Sequence, residues 1–113
     1  MNARMIWSAA VIALAVGAAH DAAARGNAEA GKSKAAQTCA ACHGAAGAKP
    51  SAPDQPILAG QYYDYLVKAL SDYKSGKRNN AIMKGFAASL STQDMEDLAA
   101  WFSSQKSALH FQR

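Results

Sequence analysis

Two cysteines and a histidine fall within five consecutive residues, Cys39-Ala40-Ala41-Cys42-His43. Cys-x-x-Cys-His is the spacing of a c-type haem attachment site. Thiols three positions apart occupy neighbouring points of one helical turn, so both reach the vinyl groups of a single porphyrin and each can form a thioether there. His43 follows at once, and its imidazole can rise to the iron as the proximal ligand. The competing readings are a redox dithiol, a disulfide and half of a zinc site. Zinc needs more ligands, and the chain has no third cysteine and only His20 and His110 besides. A thioredoxin-like dithiol belongs in a βαβ setting, and no strand pattern precedes Cys39. The motif therefore favours one covalent haem c.

A length of 113 residues bounds one small domain. Its first 24 residues read as a signal peptide. Met1 to Arg4 carries one positive charge, Met5 to Ala19 is apolar and uncharged, and Ala22-Ala23-Ala24 offers small residues at an A-x-A cleavage site. The apolar run falls short of the roughly 20 residues of a membrane span, so no span is expected once the signal is removed. Export fits the motif, because c-type haem is attached outside the cytoplasm; a periplasmic location is expected. The domain then covers 25–113. So short a chain has a marginal core of its own, which a large apolar cofactor would enlarge.

Asn27 is a plausible N-cap, and Glu29 sits where the helix dipole favours a carboxylate. Ala28 to Ala41 is rich in helix formers and predicts one helix running into the cysteine motif. Its apolar face is mostly alanine, suited to a close helix crossing that Gly31 would mark. Gly44 to Gly60 holds three prolines and no period, which predicts a loop. A loop of that length in a small domain needs a reason, and wrapping the proximal edge of a haem is one. An axial histidine usually donates its other N–H to a carbonyl, and Pro56 is a candidate for supplying it.

Tyr62, Tyr65, Leu66, Ala69, Leu70 and Tyr73 give helical spacing over Gln61 to Ser75, with Gly76 as its stop. Met83 is placed in a loop beyond the turn-prone Lys77-Arg78-Asn79-Asn80. Electron-transfer cytochromes often use a methionine thioether as second axial ligand. Met95 shares a stripe with Leu98, Ala99 and Phe102 and reads as core, which leaves Met83 as the favoured ligand and His110 as its competitor. Ser91 and Asp94 resemble a capping box, with helix to about Gln105 and a tail from 106.

The order of Gly31, the Cys39–His43 motif, Pro56-Ile57-Leu58-Ala59-Gly60, Met83 and Leu98-Ala99-Ala100-Trp101-Phe102 resembles the class I c-type cytochromes. It is also similar to one half of the periplasmic dihaem cytochromes. The resemblance implies an all-α fold in which the first and last helices cross and the haem sits in a cleft. It implies thioethers at Cys39 and Cys42, iron ligands at His43 and Met83, and orientation of His43 by the Pro56 carbonyl. Ala35 departs from the pattern, since many relatives carry an aromatic there, and more of the crossing falls to Trp101.

The function so implied is one-electron transfer rather than catalysis, because both axial positions are taken. The alternatives are a haem subunit of a larger dehydrogenase or oxidase complex, and an open-site haem enzyme or sensor. From Arg25 onward the chain keeps 11 Lys/Arg and 7 Asp/Glu, a formal +4. Lys74, Lys77, Arg78 and Lys84 cluster around Met83, which suits an acidic redox partner but equally a plain solvated loop. Nucleic acid is not an expected partner of an exported haem protein.

Overall fold

Residues 25–107 are described by a computed structural model; the signal segment assigned to residues 1–24, and His110, lie outside them. The described residues hold five helices and no strand: α1 (Ala28–Thr38), α2 (Ala40–His43), α3 (Tyr63–Ser75), α4 (Ala81–Ala87) and α5 (Thr92–Ser103). The expected all-α class is the observed one.

Asn27 caps α1, its side chain accepting from the backbone N–H groups of Glu29 and Ala30 at 2.9 and 3.0 Å. The single helix expected over Ala28 to Ala41 breaks at Cys39, where φ −110° and ψ −28° separate α1 from the one-turn α2. The break sets Cys39 at the junction and Cys42 and His43 in a turn of their own. α3 ends where Gly76 takes φ +83° and donates its N–H to Tyr73 O, a left-handed stop that glycine adopts without steric cost.

Packing follows from the volumes of the facing side chains. α1 lies against α5, and Gly31 is where the backbones come closest. A Cβ there would stand 1.9 Å from Asp97 O and 3.0 Å from Trp101 Cβ. Ala35 is fully buried, so the alanine-rich face of α1 brings close approach while α5 supplies bulk. Met95, Leu98, Ala99 and Phe102 of α5 form the core with Leu66 of α3 and Leu90. Met95 is therefore core, as its stripe indicated. The two helices are also pinned by Asp97, a buried carboxylate that accepts from Asn27 N–H at 2.7 Å and from Gln93 Nε2 at 2.8 Å.

Met83 departs from expectation. It lies inside α4 rather than in a loop, and Asn80 is the N-cap, its side chain accepting from Met83 N–H at 2.9 Å. Seven residues with an internal Gly85 are too few to display a helical period, which hid the helix from the pattern. α5 ends at Ser103, two residues before the expected boundary. No described helix is long and apolar enough to cross a membrane.

Candidate functional site

The loop after α2 is built to return onto it. Gly47, at φ +71°, offers its carbonyl to both Leu58 N–H and Ala59 N–H, at 2.8 and 3.1 Å. Ser51 N–H donates to Cys42 O at 2.9 Å. These bonds bring the Pro56 carbonyl over the end of α2, where it lies 2.9 Å from His43 Nδ1. His43 itself is buried, at 6% exposure. With Nδ1 engaged by a carbonyl, it carries the proton, and Nε2 is the nitrogen left with a lone pair for a metal.

Cys39, Cys42, His43, Pro56 and Met83 all line one cavity of about 470 Å³. That size lies within the range of roughly 300–1,000 Å³ usual for small-molecule and cofactor sites. Its floor is apolar, formed by Leu66 and Leu70 of α3, Leu98 and Phe102 of α5, and Leu58 of the loop. Ile82 and Phe86 of α4 also line it and are exposed at 67% and 43%. An apolar hollow carrying two thiols, an imidazole nitrogen and a thioether on its wall fits haem c in both shape and donor chemistry.

The rival readings of the cysteines fare worse. No disulfide joins them. Burial, with the Cys42 sulfur beside it, pushes the Cys39 thiol up to about 11. A reactive dithiol needs the opposite shift, toward the thiolate. Among the described residues no three of His, Cys, Asp and Glu gather into an ion-binding cluster.

Sequence reasoning missed the polar side of the cavity. Arg78 lines it together with Tyr65 and Tyr73. Arg78 Nη1 donates to Tyr65 Oη at 3.0 Å, and its guanidinium stands 4.9 Å from the centroid of the Tyr73 ring. The sequence showed Arg78 only as one cation of a basic turn, and the tyrosines chiefly as the apolar stripe of α3. The basic cluster is also smaller than it read, because Lys74 turns its ammonium onto the Leu90 carbonyl.

Comparisons with known proteins identify the family. The family model described as Cytochrome c matches residues 28–106. Cytochrome c4 of Pseudomonas aeruginosa is 53% identical over 83 residues, which cover 74% of this chain and 40% of the relative. Cytochrome c-554(548) of Halomonas halodenitrificans is 43% identical over 84 residues, covering 72% of this chain and 99% of the relative. Among solved structures, the reduced recombinant cytochrome c4 from Pseudomonas stutzeri superimposes with a TM-score of 0.67 at 45% identity, covering 74% of this chain and 48% of that one. The chain thus spans about half the length, or less, of its cytochrome c4 relatives. Its cofactor is one covalently bound haem c, and the chain belongs to the cytochrome c family.

Proposed function

We propose that this chain is an exported, periplasmic one-electron carrier and not an enzyme. The observation that carries the reading is that one cavity joins Cys39, Cys42 and His43 to Met83. In this reading Cys39 and Cys42 hold the haem as thioethers, and His43 and Met83 are its iron ligands. The haem supplies a reversible one-electron couple at its iron. Pro56 O holds the His43 ring through Nδ1 and fixes which nitrogen faces the metal. The walls from Leu66, Leu70, Leu98 and Phe102 keep water from the site, which lessens the solvent rearrangement that accompanies a change of charge. With His43 and Met83 both holding the iron, no coordination position would be left for a substrate, which is why turnover is not expected.

The partner is a redox protein with an acidic contact surface. Lys77, Arg78 and Lys84 are exposed beside Ile82 and Phe86, so a positive field surrounds an apolar patch at the mouth of the cavity. Such a field speeds encounter with an opposite charge.

Purified native protein tests the reading through its intact mass, its absorption spectrum and its response to CO. The expected result is a mass increase of one haem per chain, with a six-coordinate spectrum that CO leaves unchanged after reduction. A colourless protein, or rapid stoichiometric CO binding, overturns it. A second reading, a haem subunit of a larger dehydrogenase or oxidase complex, is consistent with a relative described as the thiosulfate dehydrogenase electron acceptor of Stutzerimonas stutzeri, 44% identical over 70 residues. Size exclusion of native extract separates the two.

A further inference from the structure

We infer that Lys74 is a positioning residue for Met83: it bridges the end of α3 to the turn before α5 and so closes the neck of the segment that carries the thioether. The inference deepens the proposed function and rests on its assignment of Met83 to the iron.

Residues 75–89 leave the core and return to it. The segment begins where α3 ends, turns at the left-handed Gly76 and holds α4. It rejoins the core at Leu90, which is buried and packs in one cluster with Leu66, Met95 and Leu98. Between those points its hold on the domain is thin. Ala87 is the buried residue of α4, Met83 is half-buried, and Ile82, Lys84, Gly85 and Phe86 are exposed. The Asn80 cap lies within the segment, so that bond moves with α4 and does not fasten it. Lys74 does fasten it. From the last turn of α3 its ammonium donates to the carbonyl of Leu90, sixteen residues on. The near side of this bridge is a helix rooted in the core through Leu66, and the far side is a core residue. A lysine suits the place, because its charge strengthens a bond to a carbonyl and also meets the negative end of the α3 dipole.

Segments with few buried contacts open locally without global unfolding. A thioether favours reduced iron, so on ferric iron the protein's grip decides how long Met83 stays. A small neutral ligand such as imidazole reaches ferric iron only after Met83 has moved away. At low imidazole, where reclosing outruns capture, its rate of binding scales with the fraction of open segment. If the Lys74 bridge is broken on opening, its loss raises that fraction by about tenfold, the factor that corresponds to one hydrogen bond from a charged donor.

The test is stopped-flow binding of imidazole to the ferric, haem-loaded protein. Lys74→Ala is expected to keep one haem per chain and the far-red charge-transfer band of sulfur on ferric iron, and to bind imidazole about tenfold faster. Lys74→Arg keeps a charged donor and returns most of the native rate. Lys77→Ala removes a nearby charge without touching the bridge and binds at the native rate. Asn27→Ala removes the α1 cap, lowers stability away from the segment, and also binds at the native rate. If Lys74→Ala carries haem and binds imidazole no faster than the native protein, the inference is wrong while the carrier reading stands. If Asn27→Ala is accelerated as much for the same fall in Tm, the effect is one of global stability and the inference is also wrong. A native ferric protein without the sulfur–iron band removes Met83 as ligand, and with it the reading on which the inference rests.

Discussion

His43 Nδ1 lies 2.9 Å from the carbonyl oxygen of Pro56, thirteen residues along the chain, and the intervening loop is folded so that this bond forms. Gly47 is the pivot. Its carbonyl accepts from Leu58 and Ala59, and a Cβ on it would stand 2.7 Å from Phe102 Cδ1 and 2.9 Å from Leu58 Cβ. In the reduced haem-loaded protein, the His43 Nδ1 proton is expected to exchange slowly with solvent, because donor and acceptor are both held. Gly47→Ala adds a clash to a backbone with positive φ, shifts the loop and speeds that exchange while the thioethers keep the haem. Proton NMR with solvent exchange decides the matter, and an unchanged rate in the variant would mean that Gly47 does not control the loop.

Met83 sits in α4 with its backbone N–H fixed by Asn80, so its side chain leaves a defined helical position rather than a flexible loop. Met83→Ala is expected to retain covalent haem, because Cys39 and Cys42 are untouched. Its potential falls sharply, since a thioether favours the reduced iron, and the reduced variant binds CO quickly. Redox titration and CO difference spectra report both effects. An unaltered potential would show that another group fills that axial position.

Legibility in the sequence tracked the range of the interaction. Asn27, Gly76 and the Ser91–Asp94 box are local, and each does what its residue type dictates. The Cys39–His43 motif was readable for the same reason, and Pro56 was reachable because axial histidines need an acceptor and the loop offers few. Asp97 was not readable. It falls on the helical stripe of α5 but is a carboxylate, and only the approach of α1 seventy residues away gives it Asn27 N–H as a partner. Arg78 was hidden likewise, since its pairing with Tyr65 spans a helix and a turn. The break at Cys39 escaped because alanine-rich sequence on both sides carries helix propensity straight through it.

Two glycines on exposed and buried helix faces should respond in opposite directions to the same substitution. Gly31→Ala drives a Cβ to 1.9 Å from Asp97 O, a backbone atom that cannot rotate away. α1 and α5 must separate, at a cost near the upper end of the usual overpacking range, about 3 kcal/mol. For a domain of this size that is a fall in Tm of roughly 12–24 °C. Gly85 in α4 meets nothing within 4 Å, so Gly85→Ala gains about 0.5–1 kcal/mol from backbone entropy. Thermal unfolding of the haem-loaded variants by circular dichroism checks both. Equal changes would mean that Gly31 is not the point of closest helix approach.

Asp94 carries the acid sensitivity of α5. Its carboxyl is held below the usual aspartate value, first by the Ser91 backbone N–H that donates to it at 2.9 Å, then by Lys34 at 3.2 Å. A carboxyl depressed in the folded state adds stability that is fully present above its unfolded value, about 3.9. That stability is lost as pH falls through the lower folded value. Asp94→Asn is therefore expected to lower Tm at neutral pH and to converge with the native protein in acid. Ser91→Ala removes the reciprocal half of the box, the Ser91 hydroxyl that accepts from Asp94 N–H at 3.0 Å. It costs about 1 kcal/mol and persists into acid, because that bond needs no ionised group. Salt weakens the Lys34 contribution, which lies partly in solvent, and leaves the capping bonds in place. Tm measured against pH and ionic strength for the two variants separates these parts. A gap between Asp94→Asn and the native protein that stays constant down to strong acid would show that the ionised carboxyl was not the stabilising form.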